Sequence, residues 1–320
     1  MRSARPPPER AVLKEVRVKT FLQLNTIFLS MVMEAIPFVL LGVIVSGLIQ
    51  TFLTESFIAR IMPRNRLLST LLGCGIGVFF PACECGIVPI TRRLLGKGVP
   101  LGAGIAFMLT GPIINPIVLF ATYIAFGNDW QMAGIRAGAA IAVAFLVSIA
   151  ISVLFPALPF RGAGTAAAEI AAAAEPSYAA PKPPLGTQLY EVMVHAVEEF
   201  FSVGKFLVLG ALIAASMQTF IPTSSLIHMG SNPITSSLVM IVMAFIMSLC
   251  SEADAFIASS FRSTFSLGSI TAFLVFGPMI DIKNTLMLLG IFKGRFVAVL
   301  IALTASATLV VSLLVGRWLG

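Results

Sequence analysis

Two cysteines separated by one glutamate are the feature of the sequence with the clearest chemical potential. Cys83, Glu84 and Cys85 stand together in an apolar stretch, with Pro81 before them and Gly86 after. Residues i and i+2 do not share a face of a regular helix, so both thiols can reach one ion only where the helix is broken. Proline and glycine favour such a break. Paired thiols suit Zn²⁺, Cu(I) or a trivalent arsenical. The alternative is that the cysteines are simply small buried residues.

Proline, glycine and acidic residues interrupt the apolar sequence at four places, namely residues 81–86, 111–116, 250–254 and 277–281. Broken backbone at membrane depth is tolerated only when it is buried in protein or lines a wet cavity, and carboxylates there usually mark a substrate or proton path. We therefore predict broken helices around a binding site near the middle of the membrane. The predicted substrate-binding residues are Cys83, Glu84, Cys85, Pro112, Asn115, Glu252, Asp254 and Asp281, with Cys83 and Cys85 as tentative metal ligands.

The composition places these residues in an integral membrane protein. The chain has 320 residues, of which 58% are hydrophobic and 11% charged, and its mean hydropathy is +0.99. Soluble domains carry about 25% charged residues. The net charge of +7 resides in short loops and at the ends of apolar runs, which favours membrane topology over nucleic-acid binding. The runs are too continuous for barrel strands, so we predict an all-α fold in the lipid bilayer.

The apolar runs predict about eight transmembrane helices in two homologous four-helix repeats. The expected organisation is a cytoplasmic tail over residues 1–20, a first repeat over 21–156, a flexible linker over 157–187 and a second repeat over 188–320. Residues 21–35 are expected to be partly interfacial, with the first span over 36–53. The other spans are expected at about 67–90, 100–126, 132–156, 198–221, 233–260, 267–292 and 295–316.

An internal repeat is predicted because matched residues recur at a constant spacing. Gln50-Thr51-Phe52 returns as Gln218-Thr219-Phe220, and the same spacing carries Glu84 to Glu252. Repeats are typical of secondary transporters with a substrate site at the repeat interface. Lysine and arginine counts favour a cytoplasmic N-terminus and parallel repeats, with Arg136 and Lys283 assigned to the opposite side. If the cysteine span were a re-entrant hairpin, each half would cross three times and the repeats would be inverted.

The motifs present favour a permease over an enzyme. The sequence has no phosphate loop and no hydrolase signature, so we expect neither ATP-driven transport by this chain alone nor catalysis, and no cofactor. Two alternatives stay open. A thiol-redox membrane enzyme would form a reversible disulfide between Cys83 and Cys85, although a bridge across one residue is strained. A channel or a subunit of a membrane complex would show no coupling to protons.

Two stretches carry a resemblance to a known family. PACECGIVPITRRLLGKGVPLGAGIAFMLTGPIINP and SEADAFIASSF…AFLVFGPMIDIKN resemble the signatures of predicted bacterial permeases of the YraQ and ArsP type. The resemblance implies a multi-pass permease of the bacterial cytoplasmic membrane, with efflux of a soft metal or metalloid. One branch exports trivalent organoarsenicals through cysteines, and some members are encoded beside a small membrane partner; a homo-oligomer is also possible. Glu84 departs from the form with serine between the cysteines, which favours a charged or proton-coupled substrate.

Overall fold

The computed structural model describes residues 9–52, 62–63, 65–79, 83–160, 185–220 and 232–319. These residues are almost entirely helical and form no β-strand; Phe160 and Phe292 make one isolated bridge. The predicted all-α class is therefore confirmed. Pro81, Ala82, residues 1–8 and most of the predicted linker, residues 161–184, lie outside the described residues.

The described part of the chain has twelve α-helices, which fall into two sets of six with a similar succession of long and short helices. The first set is α1 Glu9–Phe52, α2 Arg66–Ile76, α3 Glu84–Gly96, α4 Leu101–Ile114, α5 Pro116–Ala125 and α6 Trp130–Leu154. The second set is α7 Leu185–Phe220, α8 Pro233–Met247, α9 Ser251–Ser260, α10 Leu267–Met279, α11 Ile282–Ile291 and α12 Gly294–Trp318. A 3₁₀ turn, Gly77–Phe79, follows α2.

Helix α1 is one continuous helix through Pro37, so the predicted interfacial segment and the predicted span belong to the same helix. Its apolar part, Val18–Ile49, is long enough to cross a membrane with a tilt. Proline interrupts only one intrahelical hydrogen bond, so a packed neighbour can hold the helix together at that point. That neighbour is α7, with which α1 packs along much of its length.

Helices α2 and α4 run side by side in the same direction. A Cβ atom built on Gly73 would lie only 2.3 Å from the carbonyl oxygen of Ala103, and one built on Gly77 would lie 2.9 Å from the Cα of Gly111. The second contact lies further toward the C-terminus than the first in both segments, so they run parallel. These glycines are therefore required for the close backbone approach of α2 to α4.

Helix α3 runs back along α4 in the opposite direction. Leu95, near the end of α3, packs on Gly104, whereas Ile87, near its start, packs on Gly111. Because α2 is parallel and α3 antiparallel to the same helix, the chain turns back between them. Helices α2 and α3 are thus the two arms of a re-entrant hairpin, and the second arm begins with Cys83 and Glu84.

Helices α8 and α9 form a second re-entrant hairpin against α10. Ser236 and Ser269 share a hydrogen bond of 2.8 Å, and Ala244 lies 3.5 Å from a Cβ atom built on Gly277, so α8 is parallel to α10. The end of α9 then returns to the ring of Phe273. Helix α9 ends beside the α5–α6 turn, whereas α3 ends where α4 begins. These two places are at opposite ends of α4–α5, so the two hairpins enter the bundle from opposite sides.

The prediction of eight spans is corrected by these two turns. Five helices are long and apolar enough to cross a membrane among the described residues, or six when the bent pair α4–α5 counts as one span. Hydropathy alone counted each hairpin as a crossing, because its two short arms together have the length and apolarity of one span. The six candidate crossings are α1, α4–α5, α6, α7, α10–α11 and α12.

Helices α1 and α7 cross the bundle in opposite directions. The Ser46 hydroxyl donates to the Glu199 carboxylate at 2.7 Å, whereas Met31 packs with Ala211 and Ala214 further along α7. The first helices of the two halves are thus opposed in direction. The charge count predicted parallel repeats, whereas this opposed course favours the inverted alternative.

The close approach of α2 to α4 gives a prediction with a matched control. Gly73→Ala is expected to destabilise the protein by about 1–3 kcal/mol, because the added methyl group has no space beside Ala103. Gly75→Ala in the same helix meets no atom within 4 Å and is expected to be neutral or stabilising. Thermal unfolding in detergent compares the two; equal melting temperatures would contradict the described packing.

Candidate functional site

A buried lysine lies between two carboxylates at the junction of the two halves. Lys283 Nζ is 3.6 Å from Glu84 Oε1 and 3.7 Å from Asp281 Oδ2. Lys283, Glu84 and Asp281 are 3%, 2% and 0% exposed. Glu84 belongs to the tip of the first hairpin, whereas Asp281 and Lys283 belong to the break between α10 and α11. We call these three residues, together with Cys83 and Cys85, the Lys283 centre.

The broken backbone fixes Asp281 in this centre. Asp281 is the N-cap of α11 and accepts a hydrogen bond of 2.6 Å from the backbone N–H of Asn284. Its other carboxylate oxygen accepts a hydrogen bond of 2.6 Å from the hydroxyl of Ser248. Ser248 ends α8 with a left-handed backbone, φ 48°, which a non-glycine residue rarely adopts. The break of α10–α11 and the tip of the second hairpin are therefore joined through one carboxylate.

The two thiols of the triplet lie beside each other at the start of α3. Cys83 is the N-cap residue with extended backbone, φ −71° and ψ 173°, and Cys85 lies in the first turn. The two side chains are close enough to interact, and both are buried free cysteines. A regular helix would have separated them. The interruption of the helix thus permits both sulfur atoms to contact one small substrate.

The Lys283 centre contains one more carboxylate than it has cations. Glu84 and Asp281 share the single ammonium group of Lys283, and Glu84 Oε2 has no hydrogen-bond partner among the described residues. A buried acceptor without a partner is costly, so this oxygen favours binding of a proton or of a donor. The centre is chemically suited to take up and release one positive charge.

A second buried ion pair joins α6 to α9. Arg136 of α6 donates to both carboxylate oxygens of Asp254, at 2.8 and 3.2 Å. It also donates to the Thr122 hydroxyl at 2.7 Å and to the Ser251 carbonyl at 3.0 Å. Arg136 is 0% and Asp254 2% exposed. These four hydrogen bonds indicate a structural ion pair, which we call the Arg136 pair.

The two ion pairs follow one pattern. In each, the carboxylate comes from the first turn of the helix that leaves a hairpin tip, Glu84 in α3 or Asp254 in α9. The cation comes from the opposite half of the chain, Lys283 or Arg136. Each pair therefore ties one half of the protein to the other at membrane depth.

The remaining predicted residues take different positions. Pro112 is buried in α4 shortly before the break, and Asn115 caps α5 by accepting a hydrogen bond of 2.9 Å from Ile117 N–H. Glu252 is half-buried in the first turn of α9. Only Cys83, Glu84, Cys85 and Asp281 come together in the Lys283 centre, and Asp254 belongs to the Arg136 pair.

Sequence reasoning missed both buried cations. Arg136 and Lys283 were assigned to the membrane surface because they stand toward the ends of apolar runs. Lys283 follows the α10–α11 break by two residues, which was the available signal that it lies at depth. In the described part of the chain no group of three or more His, Cys, Asp or Glu residues has a metal-binding arrangement, so Cys83 and Cys85 as metal ligands stay a prediction.

Comparison with known proteins supplies independent evidence. The family described as "Predicted permease" matches residues 20–317. The chain is 56% identical to the UPF0718 protein YcgR of Bacillus subtilis over 92% of its own length and 98% of that protein. It is 41% identical to a putative two-component membrane permease complex subunit of Streptococcus mutans, over 92% and 95% of the two chains.

A more distant relative shares only part of the chain. The UPF0718 protein YraQ of Escherichia coli is 29% identical over 34% of this chain and 31% of its own length. No solved structure matches the chain.

Proposed function

The chain belongs to the family of predicted permeases, and we propose that within it the protein is a secondary transporter of a soft metal ion or metalloid. The resemblance noted in the sequence is thereby confirmed at the level of the family. The observation that carries the proposal is the Lys283 centre, in which two thiols and an unbalanced carboxylate meet between the two halves of a membrane protein. Such residues are expensive at membrane depth and usually functional.

The pairing of Glu84 with Lys283 refines the substrate chemistry. The sequence suggested that Glu84 would attract a charged metal, but its charge is already partly compensated by the ammonium group. A trivalent arsenical hydroxide needs no such charge: each As–OH group and each thiol exchange to give an As–S bond and one water molecule. A soft cation instead displaces the thiol proton, for which the unpartnered oxygen of Glu84 is an adjacent acceptor.

The proposed setting is the bacterial cytoplasmic membrane, with transport directed toward efflux. The protein is a multi-pass membrane protein of a permease family. Because its relative from Streptococcus mutans is named as a subunit of a two-component complex, we propose a second membrane subunit for this protein as well. We propose in addition that the protein forms a homo-oligomer and that Asn115 and Glu252 contact the substrate.

We further propose that the two halves, residues 21–156 and 188–320, are duplicated units in inverted orientation. The matching succession of helices and the matched carboxylates of the hairpins support this. Inverted repeats are typical of transporters with a site at the repeat interface. The rival hypothesis of a thiol-redox enzyme predicts an alternating disulfide between Cys83 and Cys85, which differential alkylation before and after reduction would reveal.

The metal and metalloid content of the purified protein tests the proposed ligands. Wild-type protein incubated with Zn²⁺, Cu(I) or phenylarsine oxide is expected to retain one of them in equimolar amount, because two adjacent buried thiols form a chelate. The Cys83→Ser/Cys85→Ser variant is expected to retain none. Cys74→Ser is the matched control, since Cys74 is an equally buried cysteine of the neighbouring helix α2. Equal retention by all variants would remove the thiols from the site.

A further inference from the structure

The long helices α1 and α7 are packed asymmetrically on the rest of the protein. Helix α1 packs on α3, and α7 packs on α11. In the second half α9 matches α3, and in the first half α5 matches α11. Helices α5 and α9 pack on each other, as α3 and α11 do. Among the described residues, neither α1 nor α7 makes a comparable contact with α5 or α9.

Exposure of matched residues shows the same asymmetry. Aligning the break residues Asn115 and Asp281 matches Ile117 with Lys283; Ile117 is 58% exposed, whereas Lys283 is 3% exposed. Aligning Glu84 with Glu252 matches Val88 with Phe256, which are 0% and 51% exposed. The apolar face of α5 and α9 is therefore open where its counterpart is covered by α1 and α7.

The contact between α1 and α7 is, in contrast, symmetric with respect to the two halves. The sequence spacing that aligns Glu84 with Glu252 also aligns Ser46 with Ala214 and Met31 with Glu199. Ser46 contacts Glu199, and Met31 packs with Ala214. Because these two contacts are equivalents of each other, the α1–α7 pair offers matching surfaces to α3–α11 and to α5–α9.

We propose that the α1–α7 pair moves as a unit between two equivalent packing positions, one on α3–α11 and one on α5–α9. The structure shows the first position, in which α1 and α7 cover α3 and α11 and leave the apolar face of α5 and α9 exposed. In the second position the covered and the exposed faces are exchanged. The inference rests on the proposed transport function, for which it supplies alternating access to the Lys283 centre.

The repeat specifies the contacts of the second state. Phe206 of α7 now lies against Gly290 of α11, and its ring would be 2.6 Å from a Cβ atom built on that glycine. The matched residues are Phe38 of α1 and Ile124 of α5, and Ile124 is 46% exposed. Phe38 and Ile124 are therefore expected to meet in the second state and to be apart in the first.

A polar link between α7 and α3 contributes to the first state. Arg93 of α3 pairs with Glu199 of α7 at 3.3 Å, and Glu199 also accepts the hydrogen bond from Ser46 of α1. Because the residue that matches Arg93 is Phe261, the second state has no equivalent link. Removing Glu199 is thus expected to weaken the first state selectively. Arg93 is 25% exposed and can be solvated when the pair is lost.

Crosslinking of paired cysteines in native membranes tests the motion without measuring transport. Three double variants of the full chain are treated with a short bismaleimide: Phe206→Cys/Gly290→Cys for the first state, Phe38→Cys/Ile124→Cys for the second, and Phe38→Cys/Leu146→Cys as a control. Leu146 is exposed on α6, which has no extensive packing on α1 or α7 among the described residues. Each pair is also placed in a Glu199→Ala background.

We expect intramolecular crosslinking of the first two pairs and none of the control pair. The Glu199→Ala substitution is expected to raise the crosslinking yield of the second pair several-fold and to lower that of the first. Yields of the second pair equal to the control in both backgrounds would overturn the proposal. A crosslink from Ile124→Cys alone to another chain would also overturn it, because the α5–α9 face would then be a subunit interface. None of the crosslinking yields depends on transport activity. Failure of the proposed motion is therefore distinguishable from failure of the proposed function.

Discussion

Arg136→Met is expected to lower the stability of the protein by about 3–5 kcal/mol, because Asp254 would be left as an unpaired buried carboxylate. The substitution keeps much of the apolar stem but removes four hydrogen bonds. Equilibrium unfolding in mixed detergent micelles with increasing SDS measures the effect. Arg317→Met, in the last turn of α12, is the control and is expected to change stability little.

The double variant Arg136→Met/Asp254→Leu distinguishes a charge effect from loss of packing. Removing both charges replaces a buried ion pair by apolar side chains, which often restores much of the lost stability. We expect the double variant to be more stable than Arg136→Met. A double variant as unstable as the single one would show that Arg136 acts through its other contacts, with Thr122 and the Ser251 carbonyl.

Glu84→Gln is expected to reduce transport more than about tenfold, equivalent to about 1.4 kcal/mol in the barrier, and to abolish its dependence on a pH gradient. The substitution keeps the shape of the side chain but removes the charge paired with Lys283 and the unpartnered oxygen that can hold a proton. Retention of phenylarsine oxide is expected to persist, since the thiols are untouched.

The matched control for this substitution is Glu198→Gln, in which an exposed carboxylate of α7 is neutralised. Export from cells loaded with the retained ligand, followed at two external pH values, measures both variants. If Glu84→Gln exports at the wild-type rate with the same pH dependence, the carboxylate of the Lys283 centre has no part in coupling.

The local chemistry of the site was predictable because it depends on adjacent residues. Pro112, and Pro81 and Gly86 on either side of the Cys-Glu-Cys triplet, indicate broken helices from backbone geometry, and the chain is interrupted after α4 and before α3. The capping roles of Asn115 and Asp281 follow from the same kind of break. Short polar side chains are favoured where a helix restarts, since they satisfy its free N–H groups.

The re-entrant hairpins were not predictable from apolarity, because a hairpin of two short arms and one long span have the same hydropathy. What decides between them is the glycine contact of α2 with α4 and the return of α3 along the same helix. These are contacts between segments far apart in sequence. The wrong assignment of Lys283 to a membrane surface has a related cause, since its depth follows from the position of the break in α10–α11.

The pairing of charges across the halves was equally hidden. Glu84 with Lys283 and Asp254 with Arg136 are separated by more than a hundred residues. Without coordinates, each charge had several possible partners. The repeat indicated that Glu84 and Glu252 are equivalent, but it is Asp254 that forms the second buried pair, so equivalence of position did not give equivalence of role.

Flux into inverted native membrane vesicles tests the account most directly, because such vesicles retain a second membrane subunit. The vesicles are given an imposed pH gradient, and uptake of Zn²⁺, Cu(I) and phenylarsine oxide is followed with the wild type and with the Cys83→Ser/Cys85→Ser variant. The account predicts uptake of at least one of these ligands by the wild type, driven by the gradient and lost in the variant. Uptake that is equal in both proteins, or absent for all three ligands, would contradict a thiol-dependent permease centred on Lys283.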